Sequence, residues 1–211
     1  MKKLIRFCPI VIILQMGIGC SSTLPAPFYS PISPVYYTKK STHAVQISEI
    51  TDNRGNADPE VFFINDRDPF KAKFNVPVSD IVAKALRVEL RKFGMMIIQH
   101  PTASHKPQVI LECDILQFSC RESSTGFAKN NHLTFFVELR FRWRNPSTGQ
   151  VISENTRMRR FTHPSKFPKG FDSSTSFMHM KELNEYVKVL VQVLLPDVIR
   201  QETRNNPVIN N

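Results

Sequence analysis

Between Leu133 and Arg144 a large apolar side chain stands at every second position: Leu133, Phe135, Val137, Leu139, Phe141 and Trp143. Thr134, Glu138, Arg140, Arg142 and Arg144 alternate with them, and Phe136 is the exception. A period of two belongs to a strand, whose successive side chains point to opposite faces. Six bulky groups on one side therefore predict a sheet with one face covered and the other in water. Asn145-Pro146-Ser147-Thr148-Gly149 has turn chemistry, which makes Gln150–Phe161 the antiparallel return strand. Gln108–Phe118 repeats the pattern, with Val109, Leu111, Cys113 and Ile115 on one face. His43–Ile50, Val61–Ile64 and Met95–Gln99 are shorter candidate strands, and Thr51–Asn56 and Asn65–Pro69 read as turns.

The cover for such a sheet comes from helices. Over Ser79–Phe93 the residues Val82, Leu86, Leu90 and Phe93, with Ala85 beside them, form one apolar stripe. Ser79 or Asp80 can cap this helix after Pro77, Lys84, Arg87, Glu89, Arg91 and Lys92 fill its polar side, and Gly94 stops it. Phe177, Met180, Leu183, Val187, Leu190, Val191 and Leu194 repeat at helical spacing over Phe177–Leu195, and Pro196 should end or kink that helix. The expected fold class is α+β: a mixed, largely antiparallel sheet with two amphipathic helices packed on one face. A length of 211 residues suits one such domain, and 41% hydrophobic with 22% charged residues excludes full-length disorder and a polytopic membrane protein.

The start of the chain addresses its location. Met1-Lys2-Lys3-Leu4-Ile5-Arg6 is a basic opening, and Phe7–Ile18 is an apolar run broken by Pro9, Gln15 and Gly17. The run is short for a membrane-spanning helix and has the layout of a secretory signal. It ends in Met16-Gly17-Ile18-Gly19-Cys20-Ser21-Ser22, small residues before a Cys and polar ones after it, which resembles a bacterial lipobox. Gly17 departs from the Leu usual there. The resemblance implies cleavage before Cys20 and a diacylglyceryl thioether on its sulfur. It also implies the outer membrane, because Ser21 and Ser22 lack the Asp that marks inner-membrane retention. The organisation expected is a signal peptide over residues 1–19 and, from the lipidated Cys20 through residue 42, a tether punctuated by Pro25, Pro27, Pro31 and Pro34. One domain over residues 43–200 and a polar tail over 201–211 complete it.

The 28 basic and 18 acidic side chains give a net charge of +10. Removal of Lys2, Lys3 and Arg6 with the leader leaves 25 basic residues and a net +7. Outside the cytoplasm nucleic acid is not an expected partner; anionic lipopolysaccharide, phospholipid or peptidoglycan fits the charge. Cys113 and Cys120 could form a disulfide in an oxidising compartment, but along a straight strand their seven-residue separation is about 23 Å, so a bend would be required. Both are read as thiols, with Cys113 buried as a small hydrophobe.

No constellation for catalysis stands out. His43, His100, His105, His132, His163 and His179 lack metal-ligand spacing, and Asp66-Arg67-Asp68 reads as a turn, so no metal or other cofactor is expected. Glu112 and Asp114 share a strand face opposite the core and read as solvated. The candidate binding feature is a basic hairpin. Arg140, Arg142 and Arg144 line one strand and Arg157, Arg159 and Arg160 the returning one, where a row of guanidinium groups could take phosphate, carboxylate or a protein partner. Glu138 can pair with Arg157 across the hairpin, depending on register. The segment Phe161–Phe177, with Phe167 and Phe171, is a long aromatic loop available to dock on the domain or on a partner.

The order of these elements resembles the YajG-type family of bacterial lipoproteins. The resemblance is carried by Asp52-Asn53-Arg54 after the first strand, by Val78–Leu86 and Leu90-Arg91-Lys92-Phe93-Gly94, and by Val109–Ile115 with its following hairpin. The layout is also similar to the amino-terminal domain of TolB, to the LpoB activator of penicillin-binding proteins, and to accessory lipoproteins of secretion and flagellar machines. The resemblance implies an α+β sandwich that holds partners in the periplasm and implies no chemistry. The expectation is a non-enzymatic outer-membrane lipoprotein that acts as a scaffold or accessory component of an envelope complex. Its membrane contact would run through the N-terminal lipid, and its partner would be an envelope protein or peptidoglycan. The alternative is a carrier of anionic lipid, lipopolysaccharide or peptidoglycan that uses the Arg-rich hairpin.

Overall fold

The computed structural model describes residues 21–25, 43–55, 58–65, 71–124, 131–164 and 183–210. The leader, Cys20, most of the Pro-rich stretch, the turn at 66–69 and the loop at 165–182 lie outside the described residues.

Eight strands form one mixed sheet: β1 (Ser21–Leu24), β2 (Ala44–Asp52), β3 (Val61–Asn65), β4 (Lys71–Phe74), β5 (Met96–Ile98), β6 (Val109–Ser124), β7 (Asn131–Arg144) and β8 (Val151–Pro164). The long meander β6–β7–β8 is its spine, antiparallel throughout. The other edge of β6 is shared, with β2 parallel to its first half and β3 parallel to its second. Beyond β2 lies β5, and beyond β3 lie β4 and β1. The expected α+β class is the one observed.

The alternation of β7 does what the period requires. Leu133, Phe135, Val137, Leu139, Phe141 and Trp143 are all buried, while the residues between them are partly exposed. In β6 the same face is held past a change of phase. Leu111, Cys113 and Ile115 point to the core, and so do Phe118 and Cys120, which a regular strand would turn outward. The register against β7 slips between Ile115 and Gln117, so that Leu116 is an extra residue, a β-bulge that restores the apolar side to the core.

Helix α1 (Val78–Lys92) covers this face with Val78, Ile81, Val82, Ala85, Leu86 and Leu90. Its start differs from expectation: neither Ser79 nor Asp80 makes a side-chain cap. Pro77 occupies the cap position with a fixed φ, and the Val78 N–H donates to the Pro59 carbonyl instead (3.1 Å). Gly94 ends the helix at φ 84°, a left-handed backbone that L side chains adopt at a cost, and Met95 N–H returns to the Leu90 carbonyl (3.1 Å).

The last helix departs most from the sequence reading. Residues 183–187 are α-helical, Lys188–Leu194 form a π-helical segment, and α2 (Leu195–Asn205) continues through Pro196. Leu195 N–H donates to the Leu190 carbonyl, five residues back. A widened turn is a known way to accommodate a ring that lacks an N–H and crowds the carbonyl four residues before it. The helix therefore neither ends nor breaks at Pro196. The expected polar tail is instead the last turns of α2 followed by α3 (Pro207–Asn210), with Glu202, Thr203, Asn206 and Ile209 buried. Helices and sheet share one continuous core.

A second departure lies at Ser21–Leu24. Ser21–Leu24, read as the start of a tether, is strand β1, parallel to β4 in the register Ser21↔Lys71 to Leu24↔Phe74. Leu24 is buried, and its carbonyl accepts from Asn75 N–H (2.9 Å). Leu24 is the reason: in a stretch otherwise of Ser, Thr and Pro it supplies one large apolar side chain that completes the core beside Phe74 and Phe62, whose rings stack 4.2 Å apart.

Candidate functional site

The five candidate arginines do not form one row. Register places Arg140 opposite Thr156 and Arg142 opposite Glu154, on the open face of the sheet. Arg157 lies opposite Leu139 and Arg159 opposite Val137, which puts both on the helix-covered face. Opposed residues of an antiparallel pair share a face, so the hairpin splits the set in two. Glu138 faces Met158 rather than Arg157, so the cross-strand pair that register left open does not form.

On the open face Asp114 is the centre. It is 2% exposed, not solvated, because two guanidinium groups close over it. Arg140 donates from Nε (2.8 Å) and Nη2 (2.6 Å) to Oδ2, and Arg142 Nη2 lies 2.8 Å from both carboxylate oxygens. Glu112 takes the next position, 2.7 Å from Arg144 Nε and 3.6 Å from Arg142 Nε. The hydrogen bond from Arg140 to Asp114 and the carboxylate's charge raise the Arg140 pKa above its ordinary value. Three arginines, Glu112 and Asp114, with Glu154 across the hairpin, make a ladder of compensated charge. Such a ladder stabilises a wet sheet face and leaves little net field for an anion.

The covered face holds a second network, around Glu202 of α2. Its side chain is 1% exposed. It accepts from Trp143 Nε1 (3.0 Å), Asn155 Nδ2 (3.2 Å), Asn206 Nδ2 (2.6 Å) and Arg157 Nε (2.8 Å). Arg159 Nε meets Asp197 one turn earlier at 2.7 Å. A buried carboxylate is tolerated only with this density of donors. Sequence reading missed Glu202 because it lay in the supposed tail. The usable signals were the spacing Leu195, Val198, Ile199, Glu202 and the core-facing Trp143, whose indole N–H must find an acceptor. Glu89, placed on the polar side of α1, is also buried, between Lys92 Nζ (3.1 Å) and Arg200 Nε (3.0 Å), and joins α1 to α2.

Asp52-Asn53-Arg54 is more than a turn. The Arg54 side chain is 2% exposed. It is bidentate to Asp52 (2.8 and 2.6 Å) and also donates to the carbonyls of Pro59 (2.7 Å), Val61 (2.6 Å) and Phe118 (3.2 Å). One guanidinium thus ties the end of β2 to β3 and to β6 just past its bulge.

Cys113 and Cys120 are both buried and form no disulfide. Burial, with the neighbouring Asp114 charge adding to it, pushes the Cys113 thiol pKa far above its usual range. Among the described residues no three His, Cys, Asp or Glu side chains gather as a metal site, and no helix is long and apolar enough to cross a membrane. An apolar groove of about 340 Å³ opens between β7–β8 and the helix, lined by Leu133, Phe135, Phe161, Tyr186, Val189 and Val193. His163, Glu185 and Lys188 also line it, and Phe161 is 45% exposed.

No family model and no curated protein matches the chain. Among solved structures it is similar to a protein of the DUF330 family from Xanthomonas campestris, with 11% identity, 87% of this chain and 99% of that one covered, and a TM-score of 0.46. A hypothetical protein from Chlamydia trachomatis has 10% identity, coverage of 76% and 95%, and a TM-score of 0.45. A minor lipoprotein from Acinetobacter baumannii has 11% identity, coverage of 79% and 91%, and a TM-score of 0.42.

Proposed function

We propose that the chain is a bacterial lipoprotein, anchored through Cys20 to the outer membrane on its periplasmic side, that serves a cell-envelope complex as a non-enzymatic scaffold or accessory component. The observation that carries this reading is the leader: a basic opening, a short apolar run and small residues directly before Cys20. Two or three acyl chains on that residue hold a protein on a bilayer stably, where one holds it marginally.

The interior supports a structural rather than a chemical role. The buried carboxylates Asp114, Glu202 and Glu89 and the buried Arg54 are all consumed in pairs that join one element to another. The same pairing weakens the carrier alternative, because Arg140, Arg142, Arg144, Arg157 and Arg159 each already face a carboxylate.

The Cys20→Ser variant tests the anchor. In cells it should lose incorporation of labelled fatty acid and move from the membrane to the soluble periplasmic fraction; full membrane retention would refute the reading. Crosslinking in cells followed by mass spectrometry tests the scaffold. A single envelope protein that stays bound in high salt supports it. Capture of lipopolysaccharide or peptidoglycan that salt abolishes would replace it with the carrier.

A further inference from the structure

Cys20 is joined by one peptide bond to Ser21, the first residue of β1. Ser21 is not on a leash: it is paired to Lys71 in the sheet. From there one row of cross-strand partners crosses the molecule, Ser21↔Lys71↔Ile64↔Arg121↔Thr134↔Thr162. Five strand spacings make it about 24 Å long. The row lies near one end of the sheet; β6 runs past it to Ser124 and β7 begins three residues before it, at Asn131. The opposite end, with the turn after Arg144, is ten residues along β7, about 34 Å away.

The described side chains of the row suit an anionic lipid surface. Lys71 and Arg121 are exposed on it, and Arg160 is exposed two residues before Thr162. Of the acidic groups near this end, Glu185 is matched by Lys188 at 2.6 Å, and Glu122 follows Arg121 on β6. The apolar groove opens here too, through Leu133, Phe161 and His163. Cationic groups beside exposed apolar ones are the composition that an interfacial surface uses.

We infer that this end of the sheet faces the anchoring bilayer, with the Ser21–Thr162 row on the near side and the Asn145–Gln150 turn pointing away. The inference rests on acylation of Cys20. It replaces a body swinging on a long tether by one held down in a single orientation, so that partners meet the far end.

The test uses the full acylated chain in vesicles of phosphatidylglycerol and phosphatidylethanolamine that carry a headgroup nitroxide. A fluorophore is placed at Thr162→Cys or Ser147→Cys, with Cys113 and Cys120 left buried and the parent chain as the unlabelled control. The Thr162 label should lose most of its emission and the Ser147 label should keep it. In a second variant twelve Gly and Ser residues inserted between Cys20 and Ser21, a coil of about 20 Å, should abolish the difference. Equal emission from both labels in the parent chain, with acyl mass on Cys20 and flotation with the vesicles, overturns the orientation and leaves the anchor standing. A difference that survives the insertion overturns it as well, because the short connection would not be its cause. A chain without acyl mass that fails to float overturns both readings.

Discussion

Glu202 shows how much one side chain can carry. It receives donors from β7, β8 and the end of α2, so its removal strands the Trp143 N–H and the Arg157 guanidinium together. Breaking a buried charge pair from one side costs about 3–5 kcal/mol. Glu202→Ala should therefore lower the urea midpoint by the equivalent of about 3–5 kcal/mol, and Glu202→Gln, which keeps an acceptor for Trp143, by less. Cys113 and Cys120 make a complementary expectation. Burial holds both away from reagent and keeps the Cys113 thiol protonated. Iodoacetamide at pH 8 should leave them unmodified in the folded chain and alkylate both in urea; rapid labelling of the native protein would contradict the buried β6 face.

Among the elements, those with the most side-chain contrast were legible in the sequence. β7 is written in its alternation, and α1 in its stripe and Gly94. Short strands were legible only in part: β3 and β5 fall on the runs Val61–Ile64 and Met95–Gln99, but β1 and β4, four residues each, are too short for a period to declare itself. The candidate site was legible by residue type only. Which face an arginine takes depends on a hairpin register that composition does not hold, and a one-residue change reverses it. β6 carries the same lesson within one strand, because Phe118 and Cys120 contradict the alternation until Leu116 is seen as a bulge. Deleting Leu116 should leave Phe118 and Cys120 in the core, because Gln117 then follows Ile115 directly and the alternation runs on without a break. The variant is expected to fold with a native-like near-UV circular dichroism spectrum. Recovery as aggregate, or loss of that spectrum, would show that the bulge itself is required, for instance to present the Phe118 carbonyl to Arg54.

At the scale of the molecule, two stretches read as tether and tail, Ser21–Leu24 and residues 201–210, belong to the body. The C-terminal residues read as a tail place Glu202, Asn206 and Ile209 in the core. A stop after Gln201 removes the whole Glu202 network along with the Ile209 side chain, and should abolish the cooperative thermal transition; retention of the parent melting temperature would return those residues to the status of a tail. Ser21–Leu24 closes the other side of the sheet as β1. That placement has a mechanical consequence. Tension applied at Cys20 enters the fold along the axis of β1 and loads its four rungs with β4 in shear, all at once, rather than peeling them in turn. The first unit to yield under a pull would be β1 itself. Its detachment would leave the β6–β7–β8 spine paired as before.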